Sequence, residues 1–352
     1  MSAAKPDLPD TNEIWLLLDS QIYGGIESHV LELALGLISH QFPVRIILIN
    51  RYHPTPPILD RLVQADLPYS YLNDLSPHSQ SSFKRFTSAV YRYRPTLVHA
   101  HGYKASLYSK VAKVMGVLKQ TKQVSTYHAG ETPTGRVWVY DWCDRYTSFI
   151  SNHSLVVSEK IRAKIPTQST LLNNFVAQCS TPGKYSDHIG FVGRLSHEKG
   201  PDRFVALANV FTDYTFDIYG DGPELSAVQE QATSNLRCHG HQSNMADVWH
   251  NIGVLIITSR FEGLPMAALE AMGRGIPVIS LSVGNLPNLI DHKENGFLAN
   301  NMDELKHWVE YWLQLPEHDQ CNIRQNAIKT IHSEYSPQAV IPKLVECYFP
   351  SH

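Results

Sequence analysis

The sequence predicts an α/β protein of two Rossmann-like, doubly wound domains in tandem, and three observations carry that reading. Short β-branched apolar runs alternate with amphipathic segments along nearly the whole chain, the pattern of parallel βαβ units. The alternation comes in two series, separated by a stretch where periodicity stops. The 352 residues are enough for two cores of ordinary size.

In the first series, strands are expected at 14–19 (IWLLLD), 44–50 (VRIILIN), 96–100 (TLVHA) and 123–127 (QVSTY), with weaker signals at 154–158 and 170–174. Ile26, Val30, Leu33, Leu37 and Ile38 fall on one face of a helix over 26–38. Around 177–188 (AQCSTPGKYSDH) small, polar and turn-forming residues take over, and the interdomain linker is expected there. The second series places strands at 189–193, 215–220, 236–240, 253–258 and 277–281. From about Asp303 the pattern is helical. The expected domains are 1–178 and 188–335, with a C-terminal helix over 336–352 returning to the first. Ligands are expected where strand C-termini meet the cleft between domains.

Composition narrows the class. An apolar content of 43% with 18% charged residues describes a globular protein, not a disordered one. The sequence has no run of 18 or more apolar residues, so no span across a membrane is expected. The opening MSAAKPDLPDTNE lacks the apolar core of a signal peptide, which points to the cytoplasm. Cysteines 143, 179, 238, 321 and 347 are odd in number, scattered, and form no C-x-x-C pair. That suits free thiols in a reducing compartment better than disulfides or a zinc site. Residues 1–185 carry 19 Lys+Arg against 13 Asp+Glu, and the remainder 11 against 20. Such a split suggests a basic half facing something anionic and an acidic half facing water, although asymmetry of this size also arises by chance. A pI near 6.6 and the lack of any nucleic-acid motif argue against a nucleic-acid binder.

The chemistry concentrates in SRFEGLPMAALEAMGRGIPVIS (259–280). GVLIIT before it is a buried strand, SRFEGLP is the loop at its C-terminal end, and a helix is expected from Pro265 to Met272, ending at Gly273. Glu262 thus stands in the loop and Glu270 inside the helix, both near the crevice and near unpaired helix N–H groups. A carboxylate among apolar groups costs several kcal/mol unless it accepts hydrogen bonds. The hydroxyls of a polyol supply them, at about 1.5–3 kcal/mol each. The plainer alternatives are a first-turn glutamate for Glu262 and a partner of Arg274 at i, i+4 for Glu270. In GFVGRLSHEKGPDRF (190–204) a strand ends in glycine, and Arg194 and Lys199 occupy the loop before a helix. Two such cations can balance a diphosphate, Arg194 as a planar fork and Lys199 as a mobile point charge.

In the first domain YGGIESH (23–29) follows a strand and opens a helix, and Gly24 and Gly25 let the backbone come close to a bound group. The G-x-G-x-x-G dinucleotide fingerprint is absent. LVHAHGYK (97–104) puts His99 and His101 on one side of a strand end, with His101 nearer the rim. TYHAGE (126–131) repeats the theme with His128. HGH at 239–241 has no third ligand at a recognisable spacing, which argues against a metal there. The absence of any Asp-x-Asp argues against a divalent cation holding a sugar nucleotide.

GFVGRLSHEKGPD, DIYGDGPE, CHGHQ and SRFEGLPMAALEAMGRGIPVI, in that order, resemble the retaining glycosyltransferases of family 4, which have the GT-B fold. YGGIESHV, LVHAHGYKAS and STYHAGE extend the resemblance more loosely over the first half. It implies a first domain that binds acceptor and a second that binds a nucleotide-sugar donor. Glu262 would then contact the sugar hydroxyls and Glu270 the ribose. Arg194 and Lys199 would hold the diphosphate and stabilise its departure, replacing a metal. Gly263, Leu264 and Pro265 would line the sugar–phosphate pocket, and His239 and Gly240 would meet the base. Gly24 and Gly25 would approach the donor, and His101 would face the sugar, with Glu27 and His128 toward the acceptor.

The implied reaction is same-face transfer through an oxocarbenium-like transition state, with no metal and no resident cofactor. Closure of the domains would exclude water. The donor expected is a UDP-hexose, and the acceptor a saccharide or lipid-linked saccharide of cell-envelope or other glycan synthesis. A nucleotide-sugar epimerase and a non-catalytic sugar-nucleotide-binding protein are the alternatives. The segment 103–122 carries Leu107, Val111, Val114 and Leu118 on one side and Lys104, Lys110, Lys113, Lys119 and Lys122 as charge. With Lys84, Arg85, Arg92 and Arg94 it makes a basic 84–122 region that either faces the core with a solvated outer side or meets anionic lipid at the inner membrane.

Overall fold

Strands buried on every residue need cover on both faces, and an all-parallel sheet between helices gives it. A computed structural model of the protein describes residues 12–79, 81–128, 135–177, 186–242 and 245–350. The chain divides into two compact units, one of Met1–Asn173 with Val340–His352 and one of Asn174–Ala339. The first holds β1 (Ile14–Leu18), β2 (Val44–Leu48), β3 (Tyr69–Tyr71), β4 (Leu97–His101), β5 (Lys122–Tyr127), β6 (His153–Val156) and β7 (Thr170–Leu171). They pair in parallel in the order β3-β2-β1-β4-β5-β6-β7. The second holds β8 (Ile189–Val192), β9 (Phe216–Tyr219), β10 (Leu236–Cys238), β11 (Val254–Ile257), β12 (Val278–Leu281) and β13 (Gly296–Ala299), parallel in the order β10-β9-β8-β11-β12-β13.

Both orders reverse at one place, between β1 and β4 and between β8 and β11. Successive crossovers there leave toward opposite sheet faces, so the loops at the strand C-termini part and open a crevice. In the first unit Trp15, Leu17, Phe86, Val98 and Ala112 fill one face of the sheet. In the second, Leu255, Leu269, Met272, Val278 and Ile331 pack on one face and Phe191, Phe204, Phe216, Ile256 and Trp312 on the other.

Several expectations need correction. β3 and β13 were not expected from the sequence. β3 has only three residues at a sheet edge, and β13 (GFLA) starts on a glycine and is too short to show a period. The helix Gly25–Ser39 buries Val30, Leu33 and Leu37 but leaves Ile38 exposed. Pro265 precedes its helix, Met266–Met272, with the extended backbone of a cap residue (φ −70°, ψ 128°). The basic segment 103–122 does not form one helix with an apolar inner face. The helix Tyr103–Val114 buries Ala105, Ser106, Ser109, Lys110 and Ala112, and turns Val111 and Val114 to solvent. Small inward residues let it sit close to the sheet, and Lys110 goes inward because Asp144 meets it there. Residues 178–185 of the expected linker, Cys179 among them, lie outside the described residues, as do Ala129–Glu131 of TYHAGE.

Candidate functional site

In the second unit the loops after β8 and β11 flank the switch point and are bonded into one piece. Arg260 and Phe261 donate their backbone N–H groups to Glu198 O at 2.8 and 3.3 Å. The Thr258 hydroxyl donates to Gly200 O at 2.8 Å. Gly200 has φ +64°, and a Cβ there would stand 2.5 Å from Thr258 O, so the close approach of the loops requires glycine. The Arg260 guanidinium ties the far side, with 2.8 and 2.6 Å bonds to the two Asp202 carboxylate oxygens, and holds that carboxyl below the usual range.

Within this frame Lys199 Nζ donates to Glu262 Oε1 and Oε2 at 2.7 and 2.8 Å, and the Ser259 hydroxyl donates to Oε1 at 2.7 Å. The Glu262 side chain is almost fully buried, 7% exposed, while that of Lys199 is 30% exposed. Arg194 is exposed and makes no side-chain hydrogen bond or ion pair among the described residues. Glu270 accepts a 3.0 Å bond from Trp249 Nε1. Arg274 does not take the Glu270 carboxylate; its guanidinium bonds Glu270 O at 2.8 Å and lies 5.7 Å from the Trp249 ring centre. The Gly263–Pro265 backbone is held from both sides. Asn285 N–H donates to Gly263 O at 2.7 Å, and Asn174 Nδ2 to Leu264 O at 2.8 Å. Gly284 (φ +61°) lies against Glu262 O and Gly263 O too closely for any side chain.

His239 is already committed. Its ring stacks on Tyr219 at 4.5 Å between centres and its Nε2 meets Asp217 Oδ1 at 2.7 Å, with His188 on the other oxygen at 2.6 Å. Burial pushes the Tyr219 hydroxyl up to about 12, so the tyrosine of the stack stays protonated. Gly240 (φ +68°) has open space where a side chain would be, and its carbonyl accepts from Gly220 N–H at 2.9 Å.

In the first unit four histidines gather at the strand ends. His99 spends both ring nitrogens, on Tyr348 Oη and Thr126 Oγ1, each at 2.6 Å. His101 Nδ1 lies 3.2 Å from His128 Nε2, and His101 Nε2, buried, has no hydrogen-bond partner. Of the two strand histidines only His101 therefore keeps a nitrogen for a ligand. Burial drives His99, His101 and His128 well below the ordinary 6.5, and neighbouring imidazoles push the same way, so the rings are neutral. The ring of His29 stands 4.8 Å from His128 and 5.5 Å from His101 between centres. His29, His101 and His128 each offer a nitrogen within 4.8 Å of the others. The three could therefore hold a metal ion between them, a grouping that the sequence, with one histidine on a helix and two at strand ends, did not reveal.

Gly24 and Gly25 open the helix Gly25–Ser39. Glu27 caps it by accepting from Gly24 N–H at 2.9 Å, and burial raises its carboxyl. A network the sequence did not reveal lies beside them. Asp19, after β1, accepts from Lys104 Nζ at 2.7 Å, Tyr52 Oη at 2.8 Å and Asn50 Nδ2 at 3.0 Å. Lys104, expected as a surface charge, is thus tied to the switch point. Lys110 is buried with Asp144, at 2.6 Å.

Two parallel sheets wound from a central switch point, the second carrying paired cationic and carboxylate loops, define a tandem α/β protein of the GT-B architecture. The chain belongs to the glycosyltransferases of family 4 type: the Glycosyltransferase Family 4 model matches residues 23–168 and the Glycosyl transferases group 1 model residues 186–317. It is 31% identical over 141 residues to the O-antigen biosynthesis glycosyltransferase WbnH of Escherichia coli, a stretch covering 40% of each protein and so less than half of that relative. In fold it is similar to HepE of Anabaena, solved with UDP-glucose, at a TM-score of 0.79 and 15% identity over 95% of this chain and 98% of that one. It is also similar to TarM of S. aureus, solved with UDP, at a TM-score of 0.79 and 10% identity over 96% and 99%.

Proposed function

We propose that the protein is a retaining glycosyltransferase that moves a hexose-type sugar from a nucleotide-diphosphate sugar, UDP favoured, to a saccharide or lipid-linked saccharide in O-antigen or other glycan synthesis. The observation that carries the reading is the Lys199–Glu262 pair at the β8/β11 switch point, beside the exposed Arg194. Without a ligand the two charges satisfy each other. A diphosphate offers Lys199 a stronger anion, and sugar hydroxyls offer Glu262 replacement donors, so one binding event exchanges both partners.

Arg194 and Lys199 then oppose the charge that grows on the departing diphosphate, which is the role a metal takes elsewhere, and no metal is required. Glu262, held along its edge by Ser259 and hydroxyls, is a binding group, not a nucleophile, consistent with attack on the face the leaving group vacates. Glu270, oriented by Trp249, accepts from the ribose. The backbone of Gly263–Pro265 lines the sugar and phosphate, and that of His239–Gly240 the base. His101, Gly24 and Gly25 of the first unit are sugar-facing groups, and Glu27 and His128 serve the acceptor. That the WbnH relative acts in O-antigen synthesis and that HepE and TarM were solved with UDP or UDP-glucose supports the substrate class.

The test is a donor screen by thermal shift with UDP- and GDP-sugars, then transfer to lipid-linked acceptors with the anomeric configuration of the product read by NMR. An inverted product, or turnover lost on chelation and restored by a divalent cation, overturns the mechanism. Rapid release of a free epimer without acceptor overturns the transferase reading.

A further inference from the structure

We infer that the outer face of the first unit's helices, centred on Arg136–Tyr146, docks onto an anionic lipid bilayer. The first observation is apolar exposure. Trp138, Tyr140, Trp142 and Tyr146 on this helix are each roughly half exposed, at 46–54%, and Val137 and Val139 between them also face water. The next helix contributes Val111, Val114 and Met115, the last two at 71 and 64%, and Phe149 adds 71% just past the helix end. So many large apolar side chains open to solvent along one helix and its neighbour are uncommon unless something covers part of them.

The second observation is what fixes the helix. Its buried side is ionic. Asp144 meets Lys110 at 2.6 Å, and Asp141 meets Arg145 at 2.6 Å. Tyr103 and Tyr140 stack with centres 6.0 Å apart, joining it to the helix Tyr103–Val114. The usual amphipathic order is inverted here, with charges inward and tryptophans outward. The orientation is therefore built by the fold.

Charge selects the occupant. From Leu75 to Gly130 the sequence holds nine Lys+Arg and no Asp or Glu. The helices Ser82–Tyr93, Tyr103–Val114 and Arg136–Tyr146 are crossovers that advance in one direction across the sheet, so right-handedness puts them on one face. Phe83 packs on Tyr108 between the first two at 5.6 Å. Lys84 and Arg92 on these helices, Arg94 at the end of one and Lys119 past the end of the next are exposed, with no carboxylate in ion-pair reach among the described residues. Trp and Tyr beside unpaired cations match the headgroup region of an anionic membrane, where each such charge favours binding about fivefold. A two-fold pairing of copies through the same face would bring these cations together with no acid to meet them. No helix among the described residues is long and apolar enough to cross a membrane, so the contact is interfacial.

The surface differs from the basic 84–122 region expected from the sequence. There the lysine helix itself was the contact, whereas here the aromatic helix beside it is the anchor and the basic helices surround it.

The test is co-sedimentation of the full chain with phosphatidylcholine vesicles, with and without phosphatidylglycerol, and no nucleotide or sugar present. Its outcome is then independent of the transferase reading. Binding only to the anionic vesicles is expected, with a blue shift of tryptophan emission and quenching by brominated lipid. Trp138→Ser/Trp142→Ser should weaken binding by at least about tenfold, and Arg92→Glu/Lys119→Glu should weaken it and flatten its salt dependence. Arg92→Glu/Lys119→Glu should keep the wild-type unfolding midpoint, since both side chains face water, and Trp138→Ser/Trp142→Ser, whose rings are half buried, should lower it while the chain stays folded at the assay temperature. Failure to sediment with anionic vesicles overturns the inference. So does equal binding by all variants, or a dimer in light scattering that the tryptophan variant abolishes, which would make the face a subunit interface.

Discussion

Lys199 and Glu262 lie 63 residues apart in sequence, yet the ammonium sits 2.7 and 2.8 Å from the two carboxylate oxygens. Each therefore screens the other from solvent until a ligand separates them. The glutamate is nearly buried and the lysine partly open, so the lysine is the member that can swing outward. Lys199→Ala should lower transfer by about 10²–10³-fold, the cost of losing one preorganised donor to a developing anion. Because the same change leaves a buried carboxylate with only Ser259, the variant should also unfold at lower temperature. Lys199→Ala/Glu262→Gln should recover the stability but not the activity. Near-normal turnover in the single variant would remove Lys199 from the mechanism.

Glu270 separates nucleotide binding from sugar binding. Glu270→Ala is expected to weaken free UDP and UDP-sugar alike, by about 1.5–3 kcal/mol or some ten- to hundredfold in Kd, since a charged acceptor is lost. Trp249→Phe keeps the carboxylate and removes its 3.0 Å donor, so its effect should be smaller and in the same direction. Calorimetry with UDP alone is the measurement, and an unchanged UDP affinity in Glu270→Ala would contradict the ribose assignment.

Lys110 and Asp144 test how the helix Arg136–Tyr146 is held. Burial lowers the lysine and raises the aspartate, each toward its neutral form, against the attraction between them. Lys110 Nζ also reaches Asp144 O at 2.6 Å and Tyr127 Oη at 2.9 Å, which compensates part of the desolvation. Lys110→Met alone should cost about 3–5 kcal/mol in urea unfolding because it strands a buried carboxylate. Lys110→Met/Asp144→Leu should regain most of that. Equal losses in the single and double variants would mean that packing, not the charge, dominates.

These residues also mark how far the sequence reached. β1, β8 and β11 were legible because strands buried on both faces read as unbroken apolar runs, β4 because its apolar residues frame two histidines, and the motif loops follow them directly. Glu262, Lys199 and Arg194 were legible as residue types at strand ends. Their pairing was not, because nothing local couples positions 63 apart. The same holds for Asp19 with Tyr52 and Lys104, separated by 33 and 85 residues. The alternation of His99 and His101 was visible in β4, but His29 comes from a helix and only the fold brings it there. The inward turn of Lys110 went against its residue type, and only the partner on a later helix explains it.

The histidine cluster makes stability depend on pH below neutrality. His99, His101 and His128 are held neutral, with folded values well below the ordinary 6.5. Below about pH 6.5 the unfolded chain therefore binds protons that the folded chain refuses, and stability falls as pH drops through that range. Each such group contributes up to about 1.4 kcal/mol per pH unit, so three contribute up to about 4. Glu27 and Asp144 have raised values and act in the opposite sense at lower pH, where the folded chain holds the extra protons. The cluster should thus dominate just below about pH 6.5, and urea midpoints taken there measure it. His101→Asn should flatten the slope by about one proton's worth while leaving the midpoint above pH 7 little changed. A variant whose slope matches the wild type would show that His101 ionises freely in the folded protein, and its neutral state as a sugar-facing group would fall with it.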